Sequence, residues 1–339
     1  MTKYLLLPLA GLFGLIIRFR NLAFDRGWFK RWQADIPVIS VGNLTTGGTG
    51  KTPMTEWLIR HFSTEHPDLK IAYLSRGYGR KTRGYLLVDA KEDTSGEVGD
   101  EALMIAAKWP KVAVAVCEKR ALGIQKLREA ENVDLVILDD AFQHRSVRRD
   151  LDIVMIDAQR LPTADHLLPA GRLREPLSAL KRADVLIVNK MMDVSRQAEI
   201  RTKFSHFGKP VIFAQYQPDG IHAFSGRKGS LGKGMRVALF SGIGNPAHFR
   251  AWVEQQGVEV VFEKRFRDHH TYRPKDLQEV LSQKVHCFLT TEKDAARLQG
   301  QSWFTLDQRD KLAYIPIQLQ LTEGEESLKS LLRSLNIRA

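Results

Sequence analysis

The sequence predicts an α/β fold: a parallel sheet with helices on both faces, followed by a second, smaller α/β domain. Short apolar runs rich in β-branched residues alternate with stretches at helical spacing, and this alternation is typical of parallel sheets that are covered on both sides. After a polar, glycine-containing stretch at 215–234, the alternation starts again. With 339 residues, the chain is long enough for two units with separate cores.

The predicted elements follow this alternation along the chain. In the first unit, strands are expected at Pro37–Val41, Ile71–Leu74, Val112–Val116, Leu135–Leu138, Ile153–Ile156, Val185–Val188 and Val211–Phe213. Helices are expected at Glu101–Lys108, Ala121–Ala130, Leu177–Arg182 and Gln197–Phe207. In the second unit, strands are expected at Val237–Phe240, Val258–Phe262, Cys287–Thr290 and Ala313–Ile317. We therefore divide the chain into an N-terminal segment (1–32), a first domain (33–214) and a smaller C-terminal domain (215–339) that closes over the cleft.

A glycine-rich loop follows the first predicted strand. Residues 37–52 read PVISVGNLTTGGTGKT, and apolar residues at helical spacing come next. Strand, glycine loop, Lys-Thr and helix form the layout of a P-loop NTPase, in which backbone N–H groups bind phosphates, Lys51 reaches the β and γ oxygens, and Thr52 offers its hydroxyl to Mg²⁺. Thr45 stands where the usual pattern has glycine, and a flexible turn is the alternative. The predicted nucleotide-binding residues are Thr45, Thr46, Gly47, Gly48, Thr49, Gly50, Lys51 and Thr52.

The composition of the chain limits the classes of partner that it is expected to bind. The formal net charge of +12 favours an anionic partner, which leaves nucleic acid, a nucleotide or an anionic membrane surface. The two cysteines, Cys117 and Cys287, lie in apolar runs and indicate buried thiols of a cytosolic protein. They favour neither a disulfide framework nor a metal site.

The N-terminal segment is apolar and then basic. Tyr4–Ile17 is short for a membrane-spanning helix, and Pro8 interrupts it. Arginines and aromatic residues follow this run, which is the reverse of the signal-peptide layout. An interfacial membrane segment fits this pattern, with a core helix of the first domain as the alternative.

Two adjacent carboxylates end a predicted strand. The run LVILDD places Asp139 and Asp140 at the end of an apolar strand, where P-loop enzymes bind Mg²⁺; the start of a turn is the alternative. Gln143 and His144 come just beyond this strand, at the carboxyl edge where open α/β sheets bind ligands.

Three further motifs could carry chemistry. Arg76 begins the basic loop 76–83, which suits phosphate recognition or is simply a solvated loop. Asp100 precedes a helix and is either a catalytic carboxylate or an N-cap. The run RDHHTY places His269 beside an aspartate, an arrangement that suits proton transfer, although surface histidines are the alternative.

Eight blocks of the sequence resemble the tetraacyldisaccharide 4′-kinase family, the lipid A 4′-kinases of bacteria that build an outer membrane. In the family's order they are VGNLTTGGTGKTP, LSRGYGR, VGDEALM, LDDAFQHR, LLPAGRLREP, SGIGNP, DHH and TTEKDAARL, and they span residues 41 to 298. Ala141 stands where the family pattern has glycine. Thr45 is not a departure, because the P-loop of this family is itself atypical.

The resemblance implies transfer of the γ-phosphoryl group of ATP to the 4′-hydroxyl of tetraacyldisaccharide 1-phosphate, which yields lipid IV(A). It also implies a lipid substrate, peripheral contact with the cytoplasmic face of the inner membrane, and no nucleic-acid partner. Carried over by motif, Asp100 is the base, His269 is its partner, and Arg120 and Arg172 contact phosphate or substrate. Arg76, Gln143 and His144 are further candidate substrate contacts.

Two other functional classes stay open on the sequence. One is a soluble P-loop nucleotidase or small-molecule kinase. The other is a non-enzymatic, membrane-associated nucleotide switch. Asn189-Lys190 resembles the guanine-reading Asn-Lys-x-Asp motif, but the aspartate comes one residue late, at Asp193. The spacing therefore argues against a guanine switch.

Overall fold

The fold is taken from a computed structural model that describes residues 5–191, 193–244, 246–268, 270–298, 301 and 303–337. The strands are β1 (Val38–Asn43), β2 (Ile71–Ser75), β3 (Leu86–Leu87), β4 (Ala113–Val116), β5 (Leu135–Asp139), β6 (Leu151–Asp157), β7 (Val185–Asn189), β8 (Val211–Pro218), β9 (Ile221–Ala223), β10 (Lys228–Gly229), β11 (Arg236–Ser241), β12 (Glu259–Arg265), β13 (Cys287–Thr291), β14 (Leu312–Ile315) and β15 (Ile317–Glu323). The α-helices are α1 (Leu7–Asp25), α2 (Lys51–Glu65), α3 (Ser95–Val98), α4 (Asp100–Lys108), α5 (Arg120–Glu131), α6 (Gln197–Ser205), α7 (Pro246–Gln255), α8 (Pro274–Leu281), α9 (Glu292–Leu298), α10 (Leu306–Lys311) and α11 (Glu325–Arg333).

The larger sheet has the order β15-β8-β7-β6-β1-β5-β2-β4-β3. Its strands from β8 to β4 are parallel, and the edge strands β15 and β3 pair antiparallel. Strand β1 lies between β5 and β6, so the loop that follows it opens at the middle of the carboxyl edge. The predicted α/β fold with a parallel sheet is confirmed.

Helices cover both faces of this sheet because side chains alternate along each strand. On one face, Ile39 of β1 packs with the apolar sides of α2, α4 and α11. On the other face, Val38 packs with α5, and Val154 of β6 packs with α6. Strand β1 is buried along its whole length, as expected for a central parallel strand.

Most predicted elements are present with boundaries shifted by a few residues, and two differ in kind. Leu177–Arg182 is helical but forms a 3₁₀-helix. Pro8 does not interrupt the N-terminal segment, because α1 begins at Leu7 and Pro8 lies in its first turn, where the missing N–H has no helical partner to lose.

The smaller sheet has the order β10-β9-β14-β13-β11-β12, with a parallel centre from β12 to β14. Helix α8 packs on one face, where Leu277 and Val280 meet Phe240 of β11. Val253 of α7 packs on the other face against Leu239. This sheet therefore has a core of its own.

The predicted domain boundaries, 33–214 and 215–339, do not match the sheets. Strand β8 continues to Pro218, and only Pro316 separates β14 of the smaller sheet from β15 of the larger one. β15 pairs with β8, with Ile317 opposite Pro218, and Leu328 of α11 is buried in the core of the larger sheet. The smaller sheet is thus an insertion between β8 and β15, and the chain's last helix returns to the first unit.

Candidate active site

The glycine loop after β1 opens directly into α2. Gly50 caps the helix with a φ of +102°, and a Cβ there would lie 2.3 Å from Nδ2 of Asn189. The N–H groups of the first helical turn therefore point out of the loop, which is the arrangement that binds phosphate. The strand, loop and helix predicted for a P-loop are all observed.

Neighbouring segments hold the loop in place. The Asn43 amide donates to the Thr49 hydroxyl at 2.9 Å, and the Asn189 amide donates to the Thr49 carbonyl at 3.2 Å. The Thr46 N–H donates to the Arg172 carbonyl at 2.9 Å. A loop held from both sides keeps its phosphate-binding shape before any ligand enters.

Lys51 faces the end of β5. Its Nζ lies 3.6 Å from Oδ1 of Asp140, and Nη1 of Arg174 donates to both Asp140 oxygens at 2.8 and 2.9 Å. Burial would raise the pKa of Asp140, but Lys51 and Arg174 outweigh it and lower that pKa. Asp140 is therefore an ionised carboxylate between two cations.

Asp139 differs from its neighbour. It is buried, and its Oδ2 accepts a hydrogen bond from the Tyr73 hydroxyl at 2.9 Å. Within the described part of the chain, its Oδ1 is buried without a hydrogen-bond partner. Burial, with the Glu101 carboxylate nearby, raises the pKa of Asp139 to about 6. An unsatisfied buried carboxylate oxygen of this kind suits a cation or an ordered water.

Three predicted substrate contacts lie beside this strand end. Arg120 is almost fully buried, and its guanidinium donates to the backbone carbonyls of Cys117 and Asp139. The Gln143 amide donates to the Asn43 carbonyl at 2.9 Å. Burial and Arg120 lower the pKa of His144 to about 4, so its imidazole is neutral at neutral pH. Arg120 and Gln143 thus support the backbone of β5 and β1.

The other two predicted contacts are exposed. Arg172 supplies only its backbone to the loop. Arg76 lies on an open groove that Tyr78, Lys81 and Arg83 also line. Both side chains are accessible to a ligand, and among the described residues neither forms a hydrogen bond or an ion pair with the P-loop.

Asp100 is the first residue of α4, after Gly99. It does not act as the N-cap, and its Oδ2 accepts hydrogen bonds from Nε and Nη2 of Arg297 in α9 at 2.9 and 2.7 Å. The side chain of Asp100 is 11% exposed. His269, its predicted partner, lies outside the described residues.

Comparison with known proteins gives the family. Residues 2–336 match the family described as Tetraacyldisaccharide-1-P 4′-kinase. The chain belongs to this family. It is 39% identical to the tetraacyldisaccharide 4′-kinase of Chlorobaculum parvum, an alignment that covers 98% of this chain and 95% of that protein. The Chlorobium limicola tetraacyldisaccharide 4′-kinase is 38% identical, with 97% and 96% covered.

A solved structure agrees with this assignment. LpxK from Aquifex aeolicus, crystallised in complex with ATP, superposes with a TM-score of 0.79 at 31% identity and covers 98% of this chain and 99% of its own. The family predicted from the motif blocks is therefore confirmed, and so is the expectation that the chain is a kinase.

Several residues of the site are not apparent from the sequence. Arg174 lies in the block LLPAGRLREP, but nothing in the block links it to Asp140. Tyr73 is one apolar strand residue among others, and Arg297 lies in a helix of the other sheet. All three depend on long-range pairing, which spacing along the chain does not encode.

Proposed function

We propose that this kinase transfers the γ-phosphoryl group of ATP to the 4′-hydroxyl of tetraacyldisaccharide 1-phosphate. The supporting observation is the P-loop with Lys51 facing the carboxylates at the end of β5, in a chain that matches the family from residue 2 to 336. Phosphoryl transfer depends mainly on positioning and charge neutralisation, and this arrangement supplies both.

On the ATP side, the N–H groups at the start of α2 hold the β and γ phosphates, and Lys51 neutralises the charge that develops between them. Lys51 and Arg174 face Asp140 in this structure. Two cations on one carboxylate leave positive charge beside the loop, which favours a polyanion such as ATP.

Mg²⁺ fits the residues that are present. Among the residues that the structure describes, no three His, Cys, Asp or Glu side chains converge as metal ligands. Nucleotide-bound Mg²⁺ needs only one or two carboxylates, because phosphates and water complete its shell. The unsatisfied Oδ1 of Asp139, with Asp140 and the Thr52 hydroxyl, would hold it. The bound ion would supply charge neutralisation at the β and γ phosphates.

On the acceptor side, Asp100 takes the proton of the 4′-hydroxyl, with His269 as its partner. A Cβ at Gly99 would lie 3.2 Å from Cα of Gly77, just beyond β2, and β2 pairs with β5. The start of α4 therefore lies at the carboxyl edge of the sheet, and we place the Asp100 carboxylate on the side where the γ phosphate of bound ATP would lie. Neutral His144 and the exposed Arg76 and Arg172 are the groups we assign to substrate contact.

Helix α1 attaches the enzyme to the cytoplasmic face of the inner membrane. By length and composition it could cross a membrane, and only 17% of its apolar window is buried. Exposed apolar side chains cover one side, including Leu12, Leu15 and Phe19. We place this side in the acyl boundary of the bilayer, with nearby arginines at the headgroups.

The other side of α1 is fixed to the kinase body. Glu175 is fully buried and accepts hydrogen bonds from Arg20, Asn21 and Arg182. Arg145 donates to the Asn21 carbonyl at 3.0 Å. Arg145 and Glu175 belong to the segments 141–145 and 172–176, which also contact β1 and the P-loop through Gln143 and Arg172. A lipid held against α1 would therefore lie next to the phosphates.

Incubation with labelled ATP and 1-phosphorylated tetraacyldisaccharide in detergent or vesicles tests the function. The expected product is the bisphosphorylated lipid. ATP turnover that ignores the glycolipid would instead favour a nucleotidase, and nucleotide binding without any turnover would favour a switch protein.

A further inference from the structure

Arg297, the residue that contacts the proposed base Asp100, belongs to the smaller unit of the protein, which is built around the smaller sheet. It lies in α9, and its two donors reach Oδ2 of Asp100 from the smaller unit. Only 3% of the Arg297 side chain is exposed. A guanidinium that donates two hydrogen bonds to one carboxylate restricts the direction in which that carboxylate points.

The smaller unit fixes Arg297 independently of Asp100. Its Nη1 donates to the Gly242 carbonyl at 2.9 Å and to Oδ1 of Asp294 at 2.7 Å. Asp294 is fully buried and accepts hydrogen bonds from the hydroxyls of Tyr272 and Thr291 at 2.9 and 2.7 Å, and from the Gly242 N–H at 3.0 Å. The orientation of Arg297 is therefore set by three segments of the smaller unit.

The ion pair between Arg297 and Asp100 is not needed merely to hold the smaller unit against the larger one. Two other ion pairs already link α4 with α9: Lys293 with Glu101 at 2.8 Å, and Lys108 with Glu292 at 2.7 Å. A buried ion pair adds little net stability, because desolvation offsets its attraction. The buried network around this one arginine is better explained by the need to orient the carboxylate that it contacts.

We propose that Arg297 is a positioning residue that directs the Asp100 carboxylate toward the acceptor hydroxyl. The inference rests on the proposed role of Asp100 as base. A general base must lie within about 3 Å of the proton that it takes, and a misplacement of about 1 Å costs roughly 100-fold in rate. Because Arg297 is held by the smaller sheet, the base is correctly aimed only while that sheet is seated against α4.

Steady-state kinetics of Arg297→Ala and Arg297→Lys test this proposal. We expect Arg297→Ala to lower kcat about 100-fold while the KM for ATP changes less than about 3-fold, since the P-loop is untouched. Arg297→Lys keeps the positive charge but loses the planar guanidinium with its two donors. Its kcat should therefore lie between those of Arg297→Ala and the wild-type enzyme. Lys293→Met is the matched control, because it removes a neighbouring ion pair between the same helices and should lower kcat less than about 5-fold.

Guanidinium ion added to Arg297→Ala should restore part of kcat without changing the KM for ATP. If Arg297→Ala and Lys293→Met lose kcat equally, the effect belongs to the whole interface and the proposal is overturned. A folded Arg297→Ala enzyme with kcat within about 3-fold of wild type also overturns it. Should the alanine variant fail to fold, Arg297→Lys decides the question by the same criteria.

The double variant Asp100→Ala, Arg297→Ala separates this inference from the proposed function. If Arg297 acts through Asp100, the double variant should be no slower than Asp100→Ala. Losses that multiply would place Arg297 elsewhere in the mechanism and overturn the inference. Normal kcat in Asp100→Ala would remove the base and its positioning residue together, while product formation by the wild-type enzyme would still support the kinase function.

Discussion

Three glycines of the P-loop form a graded test of the loop geometry. Gly48 has an ordinary φ, and no atom lies within 4 Å of the point that an alanine Cβ would occupy, so Gly48→Ala should cost nothing or stabilise by about 0.5 kcal/mol through the unfolded chain. Gly47 has equal space but a φ of +113°, and Gly47→Ala should cost about 1–3 kcal/mol of backbone strain. At Gly50 an alanine would meet both penalties: the φ is +102°, and its Cβ would lie 2.3 Å from Nδ2 of Asn189.

Gly50→Ala should therefore be the most destabilising of the three. Strain of about 1–3 kcal/mol and overpacking of about 1–3 kcal/mol sum to roughly 2–6 kcal/mol, a large part of a typical total of about 5–15 kcal/mol. The assay is urea unfolding without nucleotide, followed by tryptophan fluorescence and circular dichroism. We expect the midpoints to fall in the order Gly48→Ala, Gly47→Ala, Gly50→Ala. Any other order, or a difference of less than about 0.5 kcal/mol between the first and the last, would contradict this account of the loop geometry.

Three other predictions concern charge and the membrane. Lys51→Ala should abolish phosphoryl transfer in a folded protein, because the transition state loses a cation worth several kcal/mol; labelled ATP measures this. Serine at Leu12, Leu15 and Ile16, which are 57%, 62% and 58% exposed, should release the enzyme from anionic vesicles in a flotation assay, and high salt should weaken binding further. The pKa of Asp139 is raised to about 6, which means that the folded state holds the proton more tightly than the unfolded chain does. The free energy of unfolding should therefore fall as the pH rises from about 4 to 6. Asp139→Asn should remove up to about 3 kcal/mol of that fall, as measured by urea titrations without metal.

Each of these has a control and a contrary result. Lys126→Ala, on the exposed side of α5, should leave transfer unchanged, and near-normal turnover in Lys51→Ala would contradict the P-loop assignment. Leu306→Ser, at a residue that is 86% exposed, should not affect vesicle binding; unfolding of the α1 variant would show that this face belongs to the core. An unchanged pH profile in Asp139→Asn would mean that another group titrates.

The sequence alone predicts the parallel sheet and the P-loop, because both depend on local signals. Buried strands appear as continuous apolar runs, and the loop appears as glycines before Lys51. The return of the chain to the larger sheet is missed, since Ile317–Glu323 alternates apolar and polar residues as any edge strand does. Its partner, β8, lies about a hundred residues earlier, and the sequence carries no signal for that pairing.

The candidate site divides in the same way. Lys51, Thr52 and Asp139 are predicted from motifs on two adjacent strands, and the structure places all three at one edge. Arg120 is predicted as a phosphate or substrate contact, and in the structure it is almost fully buried, with its guanidinium donating to backbone carbonyls. The sequence does not distinguish an arginine that contacts a ligand from one that is buried against backbone carbonyls. Burial of a charged side chain depends on partners that only folding brings together.

The pairing of Pro218 with Ile317 means that the smaller sheet is inserted at a single point of the larger one. These residues lie opposite each other in an antiparallel pair, so a chain lacking 219–316 could be closed by a hairpin turn of about two residues. Such a chain would keep every strand of the larger sheet and the whole P-loop, but it would lose Arg297 and His269. Such a chain would also keep Asp100. The stretch 219–316 therefore contains the residues proposed to orient the base, whereas the nucleotide site and the base itself lie outside it.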